Sequence, residues 1–215
     1  MRTAIATLIL AAGFASAAQA QIPPEGDPTV AAPAAAPAAP APAAQAPAEP
    51  AAPPPVRPTS GDGAVILDVL ETVCVPAVRG QALDDIAKAK GMKRNRRDGS
   101  WAMPLGGDKN YTVTVFAQGS NKDVCMAEVH YALNQEAPIV DALNIWSFLH
   151  DPQLILQANY VNVDPDGIKR VRKSWEHFTA NSSIGVNFST MRKPDDSPLN
   201  ARYDTGMLFY QERKF

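Results

Sequence analysis

Apolar positions along this chain recur at two periods, and the places where the period changes mark out its elements. Between residues 64 and 77, Ile66, Leu70, Val73, Cys74 and Ala77 return every three or four positions, which predicts a helix with one buried stripe. Residues 81–90 predict a short second helix, with Leu83, Ile86 and Ala87 inward and Gly91 to close it. Period two then takes over. Asp98-Gly99 predicts a hairpin turn between strands at 92–97 and 100–105, and strands at 111–117 and 124–133 flank the turn at Gly119-Ser120-Asn121. In the last of these, Cys125, Ala127, Val129, Tyr131 and Leu133 share the apolar face, while Glu128 and His130 point the other way.

Helical spacing returns at 138–150, with Ile139, Ala142, Leu143, Trp146 and Leu149 inward and Asp141, Asn144 and Ser147 away from the core. Asp151-Pro152 stops it. Strands follow at 154–163, 168–178, 185–191 and 207–213, separated by Asp164-Pro165-Asp166-Gly167, Asn181-Ser182-Ser183 and residues 193–200. The order of elements predicts an α+β fold, an antiparallel sheet of about six or seven strands with two or three helices packed on one face.

An offset of 74 residues links the helix starts near 64 and 138, the Ser-Trp pairs Ser100-Trp101 and Ser174-Trp175, and the strand starts near 111 and 185. The helix at 81–90 has no counterpart. This tandem helix-plus-sheet plan resembles secreted β-lactamase-inhibitor proteins, a likeness that implies a concave sheet clamping a protein partner.

Composition divides the chain. Met1-Arg2, the apolar residues 5–14 and Ala18-Gln19-Ala20 form the pattern of an export signal over residues 1–20, with cleavage expected before Gln21. Residues 21–60 hold 14 Ala and 13 Pro with four charges, too little apolar bulk to offset the entropy of ordering, so this stretch is expected to be a disordered, extended linker. Residues 61–215 are expected to form one globular domain. They carry 18 Lys and Arg against 19 Asp and Glu, a balance that argues against a nucleic-acid partner. No later stretch is apolar enough to cross a membrane, so a periplasmic or secreted protein without a transmembrane segment is expected. In an exporting compartment the two cysteines predict a Cys74–Cys125 disulfide, since both lie on apolar faces of a helix and a strand.

Catalytic signatures are missing: the sequence has no Gly-x-Ser-x-Gly elbow, Walker loop, His-Glu-x-x-His helix or Gly-x-Gly-x-x-Gly turn. No catalytic residue, cofactor or metal is therefore assigned, two cysteines and three scattered histidines giving no ligand spacing. Glu128 and His130, two apart on a strand, share a face and are the candidate acid/base pair of a small periplasmic hydrolase. Trp175 and His177 likewise share a face and are candidates for stacking on a ligand. Arg94, Arg96 and Arg97 end one basic run and Arg170, Arg172 and Lys173 lie in another; brought together they would form an anion-binding rim for an envelope polymer. The expectation is an exported, non-enzymatic domain that binds a protein or cell-envelope component, with the hydrolase or an inhibitor-like clamp as the alternatives.

Overall fold

A computed structural model describes residues 53–215 of the chain. The expected signal and most of the Ala/Pro tract lie outside the described residues. Helix α1 (Gly61–Val69) runs through a π-helical turn (Leu70–Cys74) into α2 (Val75–Val78). Pro76 accounts for the wide turn: it has no N–H to give the Thr72 carbonyl, and its ring would collide with that carbonyl in a regular α-helix. Helix α3 (Leu83–Ala89) closes as predicted on Gly91, whose φ of 78° lets the Met92 N–H turn back to the Ala87 carbonyl at 3.0 Å.

Strands β1 (Lys93–Arg94), β2 (Trp101–Pro104), β3 (Thr112–Val115) and β4 (Val124–Tyr131) form one antiparallel meander. The strand expected at 92–97 is cut to two residues because Asn95 to Ser100 are consumed by the turn, where Asp98 accepts the Ser100 N–H and hydroxyl at 2.9 and 2.7 Å. Helix α4 (Ala137–Leu149) then leads into a second meander, β5 (Ile155–Val163), β6 (Lys169–Phe178), β7 (Ser182–Arg192) and β8 (Asp204–Lys214).

The two meanders join through β4 and β8, in register from Val124 opposite Gln211 to Tyr131 opposite Asp204. Among the described residues the sheet therefore has eight strands in the order β1-β2-β3-β4-β8-β7-β6-β5. It reads as a palindrome, two helix-led four-stranded units meeting back to back. The 74-residue offset seen in the sequence maps onto it: Trp101 lies on the second strand of the first unit and Trp175 on the second strand of the other.

All helices lie on one face, and the core fills the gap between them and the sheet. Ile66, Leu70, Val73, Ile139, Leu143 and Trp146 come from the helices; Val113, Val129, Tyr131, Phe188, Leu208 and Tyr210 come from the strands. Leu149, expected inward, is exposed where α4 ends. Helices α1 and α4 touch at Gly63, where a Cβ would stand 2.8 Å from the Ala142 Cβ and 2.9 Å from the Pro138 carbonyl oxygen. The predicted disulfide is present: Cys74 and Cys125 are bonded, with Cα atoms 5.3 Å apart, pinning the π turn to β4.

The three tryptophans fasten helices as well as fill space. The indole N–H of Trp101 donates to Asp84 of α3 at 3.0 Å, that of Trp146 to Glu71 of the π turn at 2.9 Å, and that of Trp175 to Asn144 of α4 at 3.1 Å. Glu71 also accepts Arg57 at 2.6 Å, so ordered contacts begin before residue 61.

Candidate functional site

Strand alternation sends every second side chain to the face that carries no helix. The register lays these residues out as rows crossing β4, β8, β7 and β6: Met126, Phe209, Asn187 and Ser174 in one row, then Glu128, Met207, Ser189 and Arg172, then His130, Thr205, Met191 and Arg170. Phe209, Met207, Asn187, Ser189, Met191, Ser174, Arg172 and Arg170 of these rows line an open cleft of about 670 Å³ that reaches Tyr160 on β5 and Arg213 at the end of β8, with Met126, Glu128 and His130 on the same face beside it. Its floor is mixed. Met207, Phe209 and Met191 supply apolar contact, Asn187 supplies an amide, and Ser189 is buried with a hydroxyl that has no hydrogen-bond partner.

Glu128 and His130 lie together on this face, as their spacing predicts, with the His130 Nε2 3.3 Å from the Glu128 carboxylate. The His130 ring is stacked on Tyr203, centroids 4.1 Å apart and planes 20° from parallel, which fixes its position. The hydrogen bond from His130 holds the Glu128 carboxyl below the usual range, against a smaller upward push from partial burial. A lowered carboxyl is a poor proton donor near neutrality. The pair lies within ion-pair distance, but no hydroxyl or thiol nucleophile is bonded to it among the described residues.

Trp175 and His177 sit on the opposite face. Trp175 is 2 % exposed beneath the helix layer, with its N–H held by Asn144, so it offers no stacking surface to a ligand; this corrects the sequence expectation. His177, two residues on, lies at the end of the same face, apart from Glu128 and His130.

The two basic runs do not fold together. Arg94 is on β1 and Arg170, Arg172 and Lys173 on β6, six strand spacings away, or about 29 Å. Arg94 pairs with Asp84 at 3.3 Å and lies over the Trp101 ring at 5.9 Å, while Arg96 and Arg97 are exposed in the β1–β2 turn. Lys173 points to the helix side, where its Nζ donates to Asn159 at 2.8 Å. Arg170 and Arg172 do reach the cleft, yet both are engaged by the acids of the β5–β6 turn. Arg170 donates to Asp164 at 2.7 Å and to both Asp166 oxygens at 3.0 and 2.7 Å, and Arg172 also binds Asp164. These bonds hold Asp164 below the usual carboxylate range, through Arg172 first, and Asp166 at about 2 through Arg170. The single cationic rim expected from the sequence is therefore absent. The run shows charge but not the acids waiting across the hairpin.

The cleft residues Met207, Phe209, Asn187 and Ser189 were not singled out from the sequence. Their signal was present as the alternate positions of β7 and β8 opposite the apolar face, but nothing local marks a solvated strand face as a binding surface. No protein-family model matches this chain, and no curated protein or solved structure matches it. The likeness to secreted β-lactamase-inhibitor proteins thus rests on the order of elements alone.

Proposed function

We propose that this protein is an exported, non-enzymatic binding module that seats a protein or cell-envelope component on the helix-free face of its sheet. The cleft over β4, β8, β7 and β6 carries this reading. It is open, and it mixes an apolar floor with amide and hydroxyl groups and the charged Glu176 and Arg172, an arrangement suited to a broad partner surface more than to an enclosed substrate. The signal-like leader and the Cys74–Cys125 bridge support an oxidising, periplasmic or secreted location. The test is capture from envelope extract with the exported chain and with a Phe209→Asp, Met126→Asp double variant, both positions being partly solvated so that the fold is kept. Retention of a discrete partner by the wild type and its loss in the variant is expected; equal capture by both overturns the reading.

The hydrolase alternative is separable. A Glu128→Gln, His130→Gln variant is expected to keep partner capture, and a hydrolytic activity in the wild type that this variant abolishes would favour the enzyme instead.

A further inference from the structure

The two edges of the sheet are built differently. The β1 edge is two residues long and reads Lys93-Arg94, short and charged, a form that resists pairing with another strand. The β5 edge is nine residues long, and Ile155–Val163 contains no Lys, Arg, Asp, Glu or Pro. Among the described residues only β6 pairs with it, which leaves its outer row of N–H and C=O groups without a strand partner there. Ile155, Leu156, Tyr160, Val161 and Val163 are between 47 % and 60 % exposed. The register places Ile155 and Tyr160 on the helix-free side and Leu156, Val161 and Val163 on the helix side, so apolar side chains stand above and below the free backbone. In the first unit α3 lies against the outer strands through the Trp101–Asp84 bond; among the described residues the second unit has no such helix over its outer strand.

We propose that β5 pairs antiparallel with β5 of a second copy across a two-fold axis, joining two eight-stranded sheets into one. Charge leaves a second copy free to act as the occupant. In a two-fold antiparallel pair each residue faces another residue of the same nine, where like charges would be destabilising. β5 has none. The adjacent strand does, but Lys169 is paired with Asp196, and Arg170 and Arg172 with the turn acids, while Lys173, one strand in from the edge, is hydrogen-bonded to Asn159. Closure follows from the other edge: after pairing, the sheet edges left free among the described residues are the two guarded β1 ends, so assembly stops at two copies.

The experiment is sedimentation equilibrium of the exported full chain over a wide concentration range, with Val161→Lys, Val163→Lys and Met126→Lys variants. Val161 and Val163 are exposed, so the first two variants keep the fold, checked by circular dichroism. A wild-type dimer, a dissociation constant raised about tenfold or more by either edge lysine, and no change with Met126→Lys on the helix-free face of β4 is the expected result. Amide hydrogen exchange on the wild type gives a second readout: the outward N–H groups of β5 gain protection as concentration rises. A wild type that stays monomeric, a dimer indifferent to Val161→Lys and Val163→Lys, or outward β5 amides that exchange freely in the dimer overturns the proposal. Because Met126→Lys and the edge lysines lie on different surfaces, failure of the dimer and failure of the sheet-face reading are told apart.

Discussion

Side chains with one polar atom at the end of a large apolar body decide how this molecule is held. Trp175 is buried by its ring, but its N–H fixes where α4 sits through Asn144, a residue that helical spacing alone turns toward solvent. Replacing Asn144 with Ala leaves that donor without its partner and is expected to cost about 1 kcal/mol, read as a lowered urea midpoint. The two sulfurs act on a longer loop. Their separation of 51 residues corresponds to roughly 4 kcal/mol in the chain-entropy account, so a Cys74→Ser, Cys125→Ser variant is expected to lose stability of that order, and reductant is expected to bring the wild type to the same value. At Glu128 the expected effect is small and depends on pH. Its folded carboxyl is depressed by His130, so the stabilisation is present above the ordinary carboxylate range, near 4.3, and is lost as pH falls through the lower folded value. Glu128→Gln is therefore expected to trail the wild type by no more than about 1 kcal/mol at neutral pH, the pair being part-exposed, with the gap closing in urea titrations under acid conditions.

At the scale of elements, alternation was the most readable signal. The apolar face of β4 was legible at each alternate position from Cys125 to Tyr131, and the partnership of Cys74 with Cys125 followed because both lay on buried faces. The basic run of β6 misled for a matching reason. Its charges were legible, whereas the pairing of Arg170 and Arg172 with Asp164 and Asp166 depends on how a hairpin folds its turn back, which no spacing rule states. Asp164→Asn is expected to free cationic surface at the cleft and to lengthen retention on an immobilised polyanion at low salt, an effect that added salt removes. Retention equal to wild type would show that the remaining turn acid is enough. Between helices the constraint is space. Gly63 admits α4 only because it lacks a Cβ, so Gly63→Ala is expected to push α1 from α4 and cost about 1–3 kcal/mol in thermal or urea unfolding.

For the molecule as a whole, the sequence carried the number of units better than their arrangement. The 74-residue spacing from Trp101 to Trp175 and from helix to helix announced two similar units, and each meander could be followed from turn to turn. That β4 meets β8, and that the cleft spans this seam, was not legible. Both depend on pairing between segments some eighty residues apart, for which local periodicity has no term. The packing at that seam was equally hidden: Gly206 of β8 leaves room for the Phe188 ring, which a Cβ would meet at 2.6 Å.

The palindrome also governs when the protein can become whole. Its keystone, β8, comes after the other seven described strands in sequence, and until residues 204–214 emerge, β4 and β7 are raw borders of two separate half-sheets. A newly made polypeptide must keep those borders from foreign strands while it waits for its closing piece, so shortening the chain before Asp204 should yield two halves that clump instead of one smaller protein.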